Sequence, residues 1–281
     1  SSKGSSKIGN TQHFESKRSV PSNQVGIFRR FFQEMRLAWD ISYMIKTSLK
    51  QIDGVVITSP PFFLATHIAK LMQKNNVPYI FDVRDRYPKV LFDLNVISEK
   101  SLIGRRLSFR EKTCYGNSAL ITSVTKGIDE EIDSFQKPHE HIPNGFDGEI
   151  FDPNKYSKKD SVFRIVYHGR FSRLHDTESL REISLRVNEL NPNIEFLVIG
   201  PIPDYAKNKL WGSVSFAGEQ ARSEIPALLS TGSIGISLMK TMNSTKVAMP
   251  AKVYEYIGMG LPIVVAPEGE LHDFVIHGNI G

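Results

Sequence analysis

Apolar positions along the chain follow two rhythms after an opening stretch that follows neither. Residues 1 to 24 are dominated by Ser, Lys and Asn and read as a loop or a disordered segment. From 25 to 50 a stripe at spacings of three and four runs through Phe28, Phe31, Phe32, Met35, Ala38, Trp39, Ile45 and Leu49, which predicts one long helix. Short runs of Val, Ile and Leu then alternate with helical spacing. "GVVITSPP" (54 to 61), "VPYIFDVRD" (77 to 85) and "ALITSVTKG" read as buried strands, with "FFLATHIAKLMQKNN" and "SLIGRRLSFREKTCYGN" as helices between them. A short helix, "IDEEIDSFQ", follows, and "HEHIPNGFD" adds a strand and a tight Asn-Gly turn.

Residues 146 to 161 are polar and turn-rich and read as a linker. The same alternation then restarts, with "FRIVYHGRF", "IEFLVIGP", "VSFAGE", "IGISLM" and "PIVVAPEGE" as strands and helices between them. Near-continuous apolar strands alternating with helices predict parallel sheets covered on both faces. The expected fold class is α/β, with two doubly wound Rossmann-like domains facing a cleft, one over residues 1–148 and one over 149–281. Ligands of such sheets bind beyond the carboxyl ends of the strands, so candidate chemistry is sought just after each one.

Composition narrows this picture without redirecting it. With 281 residues, 40% hydrophobic and 23% charged, the chain can form two domains of common size. No stretch approaches 18 consecutive apolar residues, so no membrane span is expected. The polar start carries no apolar core of a signal peptide, and the one cysteine, Cys114, leaves no internal disulfide or thiolate metal cluster. A cytoplasmic protein is expected, with the inner face of the membrane as a peripheral location. The first residue is not Met and the last residues stop just after an apolar run, so both ends are expected to be incomplete.

The formal net charge of +5 is unevenly placed. Residues 1 to 50 hold nine Lys or Arg against three acids, and the remainder is close to neutral. A uniformly basic nucleic-acid binder is not patterned this way, and no nucleic-acid partner is expected.

The strand ends of the second half carry the candidate chemistry. After "RIVYH" come Gly169, Arg170 and Arg173; after "EFLVI" comes Gly200; after "VSFAG" comes Glu219. Glycine lets backbone approach a ligand, and the arginine fork suits phosphate oxygens. After "GISLM" a small polar loop through Ser244, Thr245 and Lys246 leads into the helix of "MPAKVYEYIGMG", whose N-terminus attracts phosphate. Glu255 lies one to two turns into that helix. It repels phosphate but can accept two hydrogen bonds from a vicinal diol such as a ribose. The other reading is a solvent-facing Glu on an amphipathic helix, and physics alone leaves both open.

"MPAKVYEYIGMGLPIVVA" also resembles the nucleotide-binding segment of glycosyltransferase family 4, a retaining family of two-Rossmann (GT-B) architecture, and within it the branch that builds bacterial surface polysaccharides. "YIFDVRDRYP", "IPNGFD", "YHGRFSR" and "FAGE…IPALLSTGSIGISLM" resemble further segments of that family, in the expected order from about residue 50 to 270. The resemblance implies transfer of a sugar from a UDP- or GDP-linked donor to a hydroxyl acceptor, lipid-linked or saccharide, with no metal and no other cofactor. It implies that Arg170 or Arg173 binds the donor pyrophosphate and Glu255 the ribose. The loop from Ser244 through Thr245, Lys246 and Val247 to Ala248 would lie against phosphates and sugar, and Gly169, Gly200, Glu219 and Lys252 complete the donor-binding set. Two positions depart from the pattern: Val247 stands where the family often has a second Glu, and His175 where it has a Lys. In the first half, Asp82 and Asp85 are the candidate acceptor-side carboxylates, with Asp85 preferred; its alternatives are a salt bridge to Arg84 or Arg86, or a cap on the following turn.

The stripe from 25 to 49 places Phe28, Phe31, Phe32 and Trp39 near Arg29, Arg30 and Arg36. Such a helix lies on an anionic membrane surface or covers the sheet as core, and core is the commoner role. Peripheral membrane contact is read through residues 25–40, with Phe28 and Phe31 as its first candidates. His139, Glu140 and His141 are expected to be solvated and His168 packed. There is no Gly-Lys-Ser/Thr phosphate loop and no Gly-x-Gly-x-x-Gly after a strand, which disfavours ATPase and nicotinamide readings. A nucleotide-sugar epimerase of similar two-domain fold and a non-catalytic nucleotide-sugar-binding assembly protein remain as rivals.

Overall fold

The computed structural model describes residues 3–8, 11–16, 27–156, 161–202 and 204–281. The chain divides into two compact units, Ser1–Ile142 and Pro143–Gly281. The dividing point falls before the expected linker. Phe146 explains why: its ring lies where a Cβ on Gly258 would come within 2.6 Å, so the chain is already packed into the second unit there. Asn144 and Gly145, expected as a tight turn, lie in irregular backbone.

In the first unit, β1 (Lys3–Ile8) and β2 (Thr11–Glu15) form an antiparallel pair. The sequence reading made this stretch a loop, because polar strands that pair only with each other carry no apolar run to reveal them. Helix α1 (Ile27–Lys46) follows, then β3 (Val55–Ser59), α2 (Phe62–Lys74), β4 (Tyr79–Val83), α3 (Lys89–Asp93), α4 (Leu102–Asn117), β5 (Leu120–Ser123), α5 (Lys126–Asp133) and β6 (His139–His141). The four strands β3 to β6 are parallel and lie side by side in chain order. Phe62, Phe63, Leu91 and Leu107 are buried in one cluster that Phe31 and Met35 of α1 join. Each large apolar side chain buried there contributes about 1.5–3 kcal/mol. Glu34 of α1 is wholly buried; its Oε1 accepts from Arg30 Nε at 2.6 Å and its Oε2 from Phe63 N–H at 2.9 Å, fixing α1 on the first turn of α2.

The second unit runs β7 (Arg164–His168), α6 (Thr177–Leu190), β8 (Glu195–Ile199), α7 (Asp204–Lys207), β9 (Val214–Gly218), α8 (Ile225–Leu229), β10 (Ile234–Leu238), α9 (Asn243–Lys246), α10 (Ala251–Gly258), β11 (Ile263–Ala266) and α11 (Glu270–Gly278). Its parallel sheet has the order β11-β10-β7-β8-β9. Two apolar clusters, one around Val166, Leu229, Val253 and Tyr256 and one around Tyr167, Phe196 and Ile236, hold the helices to the sheet.

Candidate active site

The strand order of the second unit reverses at β7. The chain moves outward through β8 and β9 on one side, then crosses to β10 and β11 on the other. Successive crossovers therefore run in opposite directions on the two sides of β7, the arrangement that opens a crevice at the carboxyl ends of β7 and β10.

Tyr256 holds that crevice apart. β7 and β10 pair only over Ile165 and Val166 with Ile234 and Gly235. Beyond this, the Tyr256 hydroxyl accepts from His168 N–H at 2.8 Å and donates toward Ile236 O at 3.3 Å. Its ring crowds Gly235, where a Cβ would come within 2.6 Å of it. The ladder thus ends where the tyrosine enters, and α10 is fixed to the sheet. A Schellman-like close ends the helix: Gly260, at φ +68°, follows it, and Leu261 N–H reaches Tyr256 O at 3.0 Å.

Lys252 and Glu255 sit three residues apart on α10, on one side of the helix, and both are buried. The Lys252 amine stands 4.0 Å from the centre of the Tyr167 ring and 3.2 Å from where a Cβ on Gly169 would be. No hydrogen-bond acceptor among the described residues engages its Nζ. Burial pulls its pKa down to about 7, with the Glu255 charge opposing. Burial, and secondly the Lys252 charge, pull the pKa of His175 down to about 3, so its ring is neutral. Its Nδ1 accepts from Ser172 N–H at 3.1 Å. The position where the resemblance calls for a Lys therefore lies close enough to Lys252 to feel its charge.

Glu255 is not the solvent-facing residue of the alternative reading. Its Oε2 lies 3.1 Å from His168 Nδ1 and its Oε1 3.6 Å from the exposed Arg222 guanidinium. Beneath these groups the strand ends carry no side chains. Gly169, Gly200 and Gly218 close β7, β8 and β9 with φ of +121°, +136° and +71°. A Cβ on Gly200 would lie 2.3 Å from Gly169 O, so both space and backbone require glycine there.

Other residues expected at the site lie at its margin. Arg170 is exposed and pairs with Glu219, also exposed, at 2.7 Å; Arg173 is exposed. Ser244 is buried, Lys246 exposed, and Val247 and Ala248 half-buried. The Thr245 hydroxyl closes its own loop, accepting from Met242 N–H at 3.0 Å and donating to Lys240 O at 2.6 Å. Gly269, at φ +148° ahead of α11, lies against the Lys246 carbonyl and brings the loop after β11 onto α9. The sequence reading did not find Gly218, Tyr256 or Arg222. A positive-φ glycine at a third strand end was the one available signal.

In the first unit, Asp82 and Asp85 differ. Asp82 accepts from Thr122 on the neighbouring strand at 2.9 Å and lies 3.6 Å from Arg84 Nε. Asp85, just beyond β4, keeps an open side to solvent, yet crowding pushes its carboxyl pKa up to about 6 against the pull of Arg30 and then Arg84. Arg86 is engaged with Glu131 at 2.7 Å. Arg30, whose Nη1 reaches the Tyr87 hydroxyl at 3.1 Å, is the buried cation nearest this corner. His139 and His141, expected to be solvated, form β6 and are half-buried, and His139 Nδ1 lies 3.0 Å from Lys137 O.

Residues 162–281 match the family model described as Glycosyl transferases group 1. No curated protein matches the chain at a significant level. Among solved structures of similar fold, sucrose-phosphate synthase from Thermosynechococcus elongatus is 13% identical with a TM-score of 0.69, over 95% of this chain and 68% of its own. HepE of Anabaena, solved in complex with UDP, is 11% identical with a TM-score of 0.59, over 85% of this chain and 71% of its own. TarM of S. aureus is 13% identical with a TM-score of 0.57, over 80% of this chain and 43% of its own. These likenesses show a GT-B fold. Taken with the family match over residues 162–281, they support an enzyme of the hexosyl-transferring kind.

Proposed function

We propose that the chain moves a sugar from a UDP- or GDP-linked donor to a hydroxyl of a lipid-linked or surface-polysaccharide intermediate, with retention of configuration. One observation carries the donor half of this reading: a buried amine without an acceptor and a buried carboxylate share one side of α10, above glycine-only strand ends at the reversal of the sheet. Retention and the lipid-linked acceptor rest on the family resemblance.

As the bond from the sugar to the diphosphate breaks, the electron pair and the negative charge go to the leaving nucleotide. Lys252 and the N–H groups that open α10 are assigned that charge, with Arg170 and Arg173 as further donors from the loop after β7. Glu255 holds the ribose hydroxyls. Lys252 supplies the cation that the resemblance places at position 175, now reaching the same region from the opposite element. Asp85 is assigned the proton of the attacking hydroxyl, since a carboxyl of raised pKa that stays open to water can cycle between its two forms.

The test incubates the whole chain with UDP- and GDP-sugars and a membrane lipid extract, and resolves the products by chromatography and mass. Free nucleotide diphosphate and a sugar-bearing lipid are expected, both lost in Glu255→Ala and Lys252→Met. An isomerised sugar nucleotide without free nucleotide would identify an epimerase, and binding without turnover a scaffold. Transfer unchanged in both variants would remove the site assignment.

A further inference from the structure

Helix α1 has two faces. Phe31 and Met35 point into the core of the first unit, where Phe31 meets Phe63 edge to face at 4.9 Å. Phe31 is therefore not the membrane candidate that the sequence suggested, and the Phe28 side chain lies outside the described residues. The outer face runs Arg29, Phe32, Arg36, Trp39, Tyr43 and Lys46, at spacings of three and four, and every one is exposed. An outer helix face is normally polar. Here cations alternate with aromatics, and Phe32, Trp39 and Tyr43 are each more than half exposed.

Helix α4 repeats the pattern. Leu102, Ile103 and Phe109 are more than half exposed, beside exposed Arg105, Arg106 and Lys112. α2 packs against both α1 and α4. His67 of α2 lies within reach of charge from all three helices: after burial, its pKa is lowered by Arg110 of α4, Lys70 of α2 and Lys46 of α1. The three helices together hold ten Lys or Arg against Glu34, Asp40 and Glu111, so they carry more positive charge than the whole chain's net +5. Glu34 is consumed by Arg30 inside the core.

We propose that the outer faces of α1, α2 and α4 form one surface that docks the first unit on an anionic lipid bilayer. Long cationic side chains reach lipid phosphates, while Trp, Tyr and Phe seat at the headgroup level and Leu102 and Ile103 enter the acyl boundary. Aliphatic and aromatic groups at this density favour a bilayer over a nucleic acid, whose backbone offers apolar side chains nothing. Among the described residues no helix is long and apolar enough to cross a membrane, so the contact is one of lying on the surface. The inference enlarges the peripheral contact read from residues 25–40 of the sequence to three helices, and it is independent of the proposed sugar transfer. Its test contains no sugar donor, so its failure leaves sugar transfer standing.

The whole chain is mixed with vesicles of phosphatidylglycerol or of phosphatidylcholine, and partition is read by flotation together with tryptophan emission. Partition at least tenfold greater on phosphatidylglycerol is expected, with a blue shift lost in Trp39→Phe, because Trp211 is already packed on Phe216. Each of Arg36→Glu and Arg106→Glu is expected to lower partition roughly fivefold or more, and Phe32→Ser with Leu102→Ser to lower it at constant charge. All five positions are exposed, and unchanged thermal unfolding confirms folding. Equal partition on both lipids, partition insensitive to these changes, retention on a single-stranded oligonucleotide but not on vesicles, or a dimer dispersed by Trp39→Phe would each overturn the proposal.

Discussion

The two sheets are built from the same grammar and end differently. In the first unit β3 to β6 lie in chain order, and Asp82 and Asp85, in and just beyond the interior strand β4, have no reversal of that order beside them. In the second, the order reverses at β7, three neighbouring strands end in positive-φ glycines, and a lysine and a glutamate are buried above them. Among the described residues, strand order rather than strand composition separates the two. A reversal leaves space at the strand ends, glycines keep it empty of side chains, and a helix entering there can bury charge that ordinary folding would expel.

The largest effect that sharpens this contrast is at the glycines. Gly200→Ala places a Cβ against Gly169 O in a backbone conformation reserved for glycine, and loss of about 3 kcal/mol or more of stability is expected in urea unfolding. Gly116, on α4 of the first unit with open space around it, is the control: Gly116→Ala is expected to stabilise by about 0.5–1 kcal/mol. Equal costs at both would erase the difference between the units.

Next is Lys252→Met, where activity and stability should move in opposite directions. The rate of transfer is expected to fall by about 10²–10³-fold as a charge on the leaving group goes unanswered. Stability at pH 7 is expected to rise by on the order of 3 kcal/mol. The sign follows from the lowered pKa: between about 7 and 10.5 the unfolded chain binds a proton that the folded one does not. The wild type therefore gains stability as pH rises through that window, and the Met variant should lose this dependence. A variant less stable at pH 7 would contradict the burial argument.

Asp85→Asn gives a smaller and different signature. Donor affinity should be unchanged while turnover falls by about 10²-fold, the usual worth of a positioned base. In the wild type, turnover should decline as pH falls through about 6, where the raised carboxyl takes up its proton, and the Asn variant should lack that limb. An identical acid limb in the variant would reassign the base.

Much of the architecture was legible because buried parallel strands cannot avoid apolar runs: the alternation through "RIVYH", "EFLVI" and "GISLM" places β7, β8 and β10 directly. The first pair, β1 and β2, was not, since KGSSKI and TQHFE contain no run of apolar residues. Gly169 and Gly200 stood out by their positions after strands, and Glu255 by its place one to two turns into a helix. The arginines stood out too, and the structure finds Arg170 on the surface with Glu219. That Lys252 is buried could not be read, because a lysine between apolar neighbours in a helix looks like its solvated edge. Its burial depends on Tyr167 and Gly169, some eighty residues away in the chain. The outer face of α1 was hidden for the converse reason: its aromatics satisfy a core pattern from either side, and only packing shows which of them turn inward.

Calorimetry of UDP and GDP binding at pH 8, in buffers of different ionisation enthalpy, tests the central claim most directly. If the reversal of the sheet stores a neutral amine for the donor's diphosphate, the nucleotide that binds should draw close to one proton from the buffer in the wild type and none in Lys252→Met. Binding with no proton uptake in the wild type, or with the same uptake in the variant, would contradict it.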